Sequence, residues 1–148
     1  YTRRPFVLTR SFFLGSQKFG TYWTGDNRSI YSEIAGSMTM IMSLGLSGVP
    51  FGGSDVPGFY GMPSDDLWVM FYQLGAFYPF FRAHTHEHNP DREPWMQSQR
   101  VQTSIRATLN QRYDLIRYLY TTFQQTSVTA EPIMRPMWQS FPDEPATY

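Results

Sequence analysis

The sequence of 148 residues predicts an α/β fold built around a parallel sheet. Short apolar runs, bounded by glycine or proline, alternate with longer segments in which apolar residues recur every three or four positions. Alternation of strands and helices along a chain is typical of parallel sheets. Polar residues follow the predicted strands in glycine-containing loops, so we expect them to gather at one edge of the sheet.

Four short strands are predicted. The apolar run at residues 5–10 indicates a buried strand, and residues 20–24 indicate a second strand that is ended by a glycine. A third, very short strand is expected at residues 49–51, followed by a loop at residues 52–55. Residues 132–137 indicate the last strand.

Three helical regions are predicted between these strands. Residues 29–44 carry apolar residues at a spacing of four. Ser64 is a typical N-cap, and the helix after it should end at Pro79. Residues 98–127 are helical again, but their apolar register changes near Arg112, which favours two helices or one bent helix. The apolar stripe of the middle helix consists of Leu67, Met70, Phe71, Leu74 and Phe77.

Four strands with their helices make up half of a (β/α)₈ barrel. The active site of such a barrel is built from loops at the carboxyl ends of its strands. Arg10, Asp26 and Asp55 follow three of the predicted strands, so they would lie at this edge. Residues 82–97 are polar and contain two prolines, which predicts an irregular loop. Half a barrel is not expected to be stable alone.

The composition excludes several classes of function. Twelve basic and twelve acidic residues cancel, and Lys18 is the sole lysine, so the chain has no basic stripe for a nucleic acid. No apolar run approaches the roughly 18 residues that a membrane-spanning helix needs. Cysteine is absent, which excludes disulfides within the chain. Aromatic residues reach 18%, which fits either an aromatic core or a sugar-binding site.

Asp26, in the sequence Trp23-Thr24-Gly25-Asp26, is the strongest candidate for a catalytic residue. A general acid for glycoside cleavage is a carboxylic acid that donates its proton to the leaving oxygen. Tyr22 and Trp23 beside it would supply an apolar wall. The alternative is an ordinary turn aspartate after a strand, a common use of this residue.

The three residues after Gly25-Asp26, Asn27-Arg28-Ser29, match an acceptor site for N-glycosylation. A glycan attached beside a catalytic acid would block the site. We therefore interpret the match as accidental.

Arg82 and His84 are candidate donors to sugar hydroxyls, since both side chains carry N–H groups. The alternative is an ordinary surface pair. His84, His86 and His88 alternate along the chain, a pattern that raises the question of a metal site. The sequence has no cysteine and no distant ligand with zinc-like spacing, so no metal site is predicted. Asp55 is either a turn residue or an acid at the rim of the barrel.

Three segments, taken together and in order, resemble glycoside hydrolase family 31 over essentially the whole chain. The first runs from Arg10-Ser11 through Gly15-Ser16-Gln17-Lys18-Phe19 to the Asp26 motif, and its sixteen-residue step resembles the family's step from a substrate-binding arginine to the acid/base. The second leads from residues 43–48 through Asp55 to Gly58-Phe59. The third comprises residues 75–84.

The resemblance implies an α/β fold in which residues 1–138 are the C-terminal half of a (β/α)₈ TIM barrel. Residues 139–148 would begin the β domain that follows the barrel. The family is retaining, and its nucleophile is a second aspartate upstream of this region, so the nucleophile is expected outside this chain. No metal or organic cofactor is implied.

The resemblance also implies a role for each matching residue. Asp26 would be the acid/base, while Arg10 and His84 would hydrogen-bond the sugar that is cleaved off. Trp23 and Phe59 would form the walls around that sugar. The remaining two residues, Asp55 and Arg82, would support the site from the rim.

Within the family, residues 81–84 and 92–95 most resemble the branch of the endoplasmic-reticulum glucosidase II catalytic α-subunits, as do residues 109–113 and 134–138. This implies a retaining α-glucosidase that trims α-1,3-linked glucose from N-glycans in the endoplasmic reticulum lumen. A glucosidase II β-subunit would be its partner. The alternatives are a non-catalytic carbohydrate-binding or scaffold fragment, or a family enzyme for another sugar, such as an α-xylosidase.

Overall fold

The computed structural model describes residue 3 and residues 5–148, so residues 1, 2 and 4 of the predicted barrel region lie outside the described part. Three parallel strands lie side by side in chain order: β1 (Leu8–Thr9), β2 (Thr21–Trp23) and β3 (Gly52–Gly53). The helices are α1 (Tyr31–Leu46), α2 (Asp65–Gly75), α3 (Gln99–Thr129) and the short α4 (Met137–Ser140). The predicted α/β class with a parallel sheet is confirmed.

Residues 80–84 form a fourth parallel run, beside β3 and the residues after it. The amide of Phe80 donates to the Gly52 carbonyl at 2.9 Å. Further along, Val56 N–H donates to the Arg82 carbonyl at 3.2 Å, and His84 N–H donates to the Val56 carbonyl at 3.0 Å. Part of the segment that was expected to be irregular therefore continues the sheet.

The prediction of a strand at residues 132–137 is wrong. Residues 132–136 pair with no strand in the described part of the chain, and α4 begins at Met137. Pro132 and Pro136 have no backbone N–H to contribute to a ladder. Pro132 instead packs so closely on Gly45 that a Cβ there would lie 2.9 Å from its ring. An apolar segment thus covers the end of α1 without joining the sheet.

The third strand lies at Gly52–Gly53, directly after the predicted residues 49–51. Val49 donates its amide to the Leu44 carbonyl at 2.9 Å, which closes the end of α1, and Pro50 has no amide to donate. Both glycines are required by close neighbours, because a Cβ at Gly52 would overlap the Tyr22 ring and one at Gly53 would overlap the Phe80 carbonyl. Sequence reasoning placed them in a loop because glycine is usually unfavourable in strands.

The first strand is shorter and less buried than predicted. Only Leu8 and Thr9 are paired, and they contact β2 alone. Phe6 is 64% exposed and Val7 is 45% exposed. β1 is thus an edge of the described sheet, where one side of the strand has no neighbour to bury it.

The core lies where α1, α2 and α3 pack together against the chain after β3. Its fully buried members include Ile41, Val56, Phe71, Val101 and Ile105. The N-cap of α2 is confirmed, since the Ser64 hydroxyl accepts from the Leu67 amide. The predicted stripe of α2 is only partly right. Leu67 and Phe71 are buried, but Met70 and Phe77 are exposed, and Trp68 and Tyr72 are buried in their place.

α3 is one continuous helix from Gln99 to Thr129, so of the two predicted alternatives, two helices or one bent helix, the first is wrong. Its apolar register changes at Arg112 because this side chain binds the backbone after α2. Its guanidinium donates to the Ala76 carbonyl at 2.8 Å, the Tyr78 carbonyl at 2.7 Å and, more weakly, the Pro79 carbonyl at 3.4 Å. Carbonyls at the end of a helix lack partners within it. Arg112 therefore ties the end of α2 to the middle of α3.

In the part of the chain that the structure describes, no helix combines the length and the apolar character needed to cross a bilayer.

We expect Arg112→Met to destabilise the segment after α2. The substitution keeps an apolar stem but leaves half-buried carbonyls without donors, at a cost of ~2–3 kcal/mol. Hydrogen exchange of the amides of residues 76–81 should accelerate accordingly. Arg117→Met, on the exposed side of the same helix, is the matched control and should leave those amides unchanged. Equal exchange in the two variants would contradict the role given to Arg112.

Candidate active site

The predicted site residues meet at the carboxyl ends of the parallel strands. Arg10 follows β1, Trp23 ends β2, and Asp55 follows β3, while Arg82 and His84 lie on the 80–84 run. Because the strands are parallel, these positions share one rim of the sheet. The seven residues at this rim are Arg10, Trp23, Asp26, Asp55, Phe59, Arg82 and His84.

Asp26 lies on a tight loop after β2 and contacts Arg10. The Arg10 Nη1 atom is 3.4 Å from Asp26 Oδ1, and the Asp26 side chain is 28% exposed. Gly25 shapes this loop, because its φ of 87° lies in the left-handed region that favours glycine. A Cβ at Gly25 would lie 3.2 Å from Arg10 Nη2. The loop thus presents a partly exposed carboxylate with a guanidinium beside it.

Asp55 and Arg82 form a largely buried ion pair beneath Trp23. Arg82 Nη2 donates to Asp55 Oδ1 at 2.5 Å, and the Asp55 side chain is only 1% exposed. The Arg82 Cζ atom lies 5.2 Å from the Trp23 ring centre and 5.4 Å from that of Phe80. The guanidinium is therefore held by a carboxylate and by two aromatic rings, a favourable arrangement for a cation.

The pKa of Asp55 is influenced by the charges of other residues in the site. Burial raises the pKa of the Asp55 carboxyl above its ordinary value, and the Arg82 guanidinium acts against this effect. Smaller influences come from His84, which lowers the pKa, and from Asp26, which raises it. Asp55 thus senses the charge of both neighbours, as expected for groups that share one site.

Phe59 and His84 form a second pair of rings at the rim. Their ring centres are 5.2 Å apart and their planes are inclined by 32°. His86 lies 5.3 Å from Phe59, and His88 lies 4.9 Å from His86. Across residues 3 and 5–148, no three His, Cys, Asp or Glu side chains are grouped so that they could hold a metal ion. The alternating histidines instead contact one another and Phe59 through their rings.

Sequence reasoning missed two buried polar residues beside the site. Asn27 is 5% exposed and hydrogen-bonds to the loop that carries Asp55 and Phe59. Arg92 is 6% exposed and donates to Thr85 Oγ1 at 2.8 Å. The adjacency of Asn27 to the candidate acid was a signal for the first. Nothing in the local sequence distinguishes Arg92 from a surface arginine.

The comparison with known proteins identifies the family. Residues 1–122 match the TIM-barrel domain of glycosyl hydrolases family 31. The chain belongs to glycoside hydrolase family 31. The match also confirms the predicted fold class, in which the parallel sheet and its helices are part of a TIM barrel. The domain boundary at residue 138 stays a prediction.

Several relatives of the chain are named α-glucosidases. A probable glucan 1,3-alpha-glucosidase of Oryza sativa subsp. japonica is 49% identical over 145 residues, which are 98% of this chain and 16% of the relative. Neutral alpha-glucosidase C of Mus musculus is 47% identical over the same shares. The crystal structure of a glucosidase II alpha subunit in its Glc1Man2-bound form is 46% identical, with a TM-score of 0.94, and covers 97% of this chain and 16% of that one. The chain therefore spans about one sixth of the length of these relatives, and the predicted resemblance to the glucosidase II branch is confirmed.

We expect Arg82→Met to destabilise the fold by ~3–5 kcal/mol at neutral pH, because it leaves the buried Asp55 carboxylate without its cation. Loss of the guanidinium also removes an influence that lowers the pKa of Asp55, so this pKa rises further. A carboxyl whose pKa is raised by folding destabilises the fold above that pKa, and the penalty disappears as the pH falls and the group takes up a proton.

The measurement is thermal unfolding of Arg82→Met at about pH 7.5 and about pH 4.5, on either side of the range in which a perturbed Asp titrates. The deficit should be smaller at the lower pH. The double variant Asp55→Asn with Arg82→Met is the control, since it has no buried charge and should lose this pH dependence. A deficit that is the same at both pH values would exclude the unpaired carboxylate as its cause.

Proposed function

We propose that this chain supplies the acid/base part of the active site of a retaining α-glucosidase, within a larger catalytic assembly. The observation that carries the proposal is the position of Asp26, a partly exposed carboxylate in contact with Arg10, at the same rim of the sheet as Trp23 and His84. The α-glucosidase names of the relatives and the family membership support it. These relatives are about six times longer than the stretch they share with this chain, so the activity belongs to a larger unit.

The proposed reaction has two steps. Asp26 donates its proton to the glycosidic oxygen, while a carboxylate nucleophile attacks the anomeric carbon and the bond to the leaving group breaks. Asp26, now ionised, then takes a proton from water, and the water oxygen displaces the enzyme from the sugar. Glucose leaves with the same anomeric configuration, and both carboxyl groups return to their starting states.

The other rim residues bind the glucose unit in this proposal. The guanidinium of Arg10 and the imidazole of His84 donate hydrogen bonds to sugar hydroxyls. Trp23 and Phe59 offer ring faces to the C–H faces of the sugar. Arg82, fixed between Asp55 and the Trp23 ring, holds that wall in place.

The nucleophile comes from outside this chain in the proposed assembly. Retaining glycosidases hold their two carboxyl groups about 5–5.5 Å apart, with both facing the sugar. Asp26 influences the pKa of Asp55, but the Asp55 side chain is 1% exposed and its Oδ1 atom is bound to Arg82. A carboxylate in that position supports the site and does not reach an anomeric carbon.

The substrate that we propose is α-1,3-linked glucose on an N-glycan. The name of the rice relative specifies a glucan 1,3-alpha-glucosidase, and solved glucosidase II alpha subunits carry Glc1Man2 or alpha3-Glc2. Another solved structure is that of a heterodimer between the catalytic subunit and the binding domain of a regulatory subunit. By analogy, we propose a glucosidase II β-subunit as partner and the endoplasmic reticulum lumen as location.

A chimera tests the proposal directly. In this chimera, the matching segment of a glucosidase II alpha subunit is replaced by the present chain. We expect it to hydrolyse both an α-1,3-linked glucose disaccharide and α-glucosyl fluoride. Asp26→Ala should lower kcat/KM for the disaccharide by about 10²–10⁴-fold, the usual worth of general acid catalysis. The loss on the fluoride should be far smaller, because fluoride departs with little help from a proton.

The control for this experiment is Asp143→Ala, which removes an exposed carboxylate outside the rim and should leave both rates unchanged. Azide, which needs no general base, should restore turnover of the glycosyl-enzyme formed by Asp26→Ala on the fluoride. Near-normal hydrolysis of the disaccharide by Asp26→Ala would defeat the assignment of the acid/base.

We also expect the chain alone to be inactive on an aryl α-glucoside, because it lacks the nucleophile. Addition of the upstream part of a glucosidase II alpha subunit should produce activity, measured as release of the aryl alcohol. Hydrolysis by the isolated chain would overturn the division of the site. An inactive chimera that still binds glucose would favour the alternative of a non-catalytic carbohydrate-binding fragment.

A further inference from the structure

The segment Asn27-Arg28-Ser29, which matches a glycosylation acceptor, is a buried junction in the folded protein. Asn27 is 5% exposed and Ser29 is 6% exposed. The Ser29 hydroxyl donates to the Gly61 carbonyl at 3.3 Å and accepts from Arg92 Nη2 at 3.2 Å. The motif therefore joins the loop after β2 to two other parts of the chain.

The side chain of Asn27 bridges the acid-bearing loop and the loop at residues 54–60. Its Nδ2 atom donates to Ser54 Oγ at 2.9 Å and to the Asp55 carbonyl at 3.0 Å. Its Oδ1 atom accepts from the Phe59 amide at 3.0 Å. The side-chain amide has two N–H donors, and both are used here. One residue thus links the neighbour of Asp26 to the loop that carries Asp55 and Phe59.

Both linked loops have further hydrogen bonds. In the acid-bearing loop, the Thr24 amide donates to the Gly53 carbonyl at 3.0 Å, and the Asn27 carbonyl accepts from the Phe59 amide at 2.8 Å. The loop at residues 54–60 has further bonds to the 80–84 run, through Val56, and Asn89 Nδ2 donates to the Phe59 carbonyl at 2.9 Å. For Asp26 itself, the described side-chain contact is the Arg10 ion pair at 3.4 Å, with the Arg10 side chain 59% exposed. An exposed ion pair is a weak restraint. The backbone bonds do not include the Asp26 carboxyl group, so loss of the Asn27 side-chain bonds would displace this group more than the sugar-binding wall.

We propose that Asn27 is a positioning residue that fixes the carboxyl group of Asp26 relative to the sugar-binding loop at residues 54–60. The inference rests on the proposed role of Asp26 as the acid/base. It predicts a specific defect: without Asn27, the sugar still binds, but the proton of Asp26 is delivered poorly to the leaving oxygen. The loss of kcat/KM should be larger for substrates whose leaving group depends more on protonation.

The test compares kcat/KM for two substrates of the chimera. Asn27→Ala should lower kcat/KM for the α-1,3-linked disaccharide by about 10–100-fold, as expected when a catalytic group is misplaced by about 1 Å. For α-glucosyl fluoride, the loss should stay within about 3-fold, because general acid catalysis contributes little to its departure. A role in overall stability alone would affect both substrates alike.

Asn89→Ala is the matched control. Asn89 also bonds to Phe59, since its Nδ2 atom donates to the Phe59 carbonyl, but its other partner is Thr85 Oγ1, at 2.7 Å, and not the loop that carries Asp26. Its loss should weaken the sugar-binding wall and lower kcat/KM for both substrates by similar factors. Asn110→Ala, at an exposed position on α3, should change neither.

A second variant keeps the test decisive if Asn27→Ala does not fold. Ser54→Ala removes the hydroxyl that accepts from both Asn27 Nδ2 and Thr24 Oγ1, each at 2.9 Å, and adds no bulk. It should show the same preference for the fluoride with a smaller loss on the disaccharide. In the double variant the two losses should not add, because both substitutions break one shared hydrogen bond.

Equal losses on the two substrates in Asn27→Ala, or in Ser54→Ala where the first does not fold, overturn the inference. In that case Asp26→Ala still tests the proposed function separately, by its own dependence on the leaving group. If Asp26→Ala shows no such dependence, the proposed function fails, and the inference about Asn27 fails with it.

Discussion

The rest of the structure depends on the close approach of β3 to its two neighbours. Gly52 lies directly against the Tyr22 ring, and Gly53 lies directly against the Phe80 carbonyl. No other residue type leaves this space, so the glycine pair sets the spacing between β2, β3 and the 80–84 run. The acid loop follows β2, Asp55 follows β3, and Arg82 and His84 lie on the 80–84 run. Larger side chains at β3 would separate these groups, even though neither glycine touches them.

The two carboxylates of the site differ because their surroundings differ. Asp55 is buried and bound to Arg82, whose guanidinium lies over the Trp23 ring, which suits a fixed support. Asp26 is partly exposed, lies on a glycine-shaped loop and has one cation nearby. Pairs of titratable groups in contrasting environments are typical of sites that divide chemical tasks. The contrast supports the view that one acid takes part in proton transfer while the other maintains the geometry around it.

The features that could be predicted from the sequence are those that neighbouring residues determine. The Ser64 cap, α1 and the family segments around Asp26 were all identified from neighbouring residues. The features that were missed depend on distant contacts. Gly52 and Gly53 form a strand because of Tyr22 and Phe80. Residues 132–136 pair with no strand among the residues that the structure describes, and α3 stays continuous through Arg112. Likewise, the three family segments contain the seven rim residues, but only the fold shows that Asn27 links the Asp26 loop to the loop with Asp55 and Phe59.

The burial of Asn27 has a consequence for biosynthesis. Its amide nitrogen becomes protected only when folding brings Asn27 to Ser54 and Asp55, which lie 27 and 28 positions further along the sequence. In a compartment where asparagine acceptor motifs are modified, a newly made chain exposes this amide before those distant contacts form. A sugar attached at that stage would take one of the two N–H groups that the junction needs. Closure of the sheet and attachment of the glycan would then compete kinetically, and a chain that folds slowly would carry the glycan permanently.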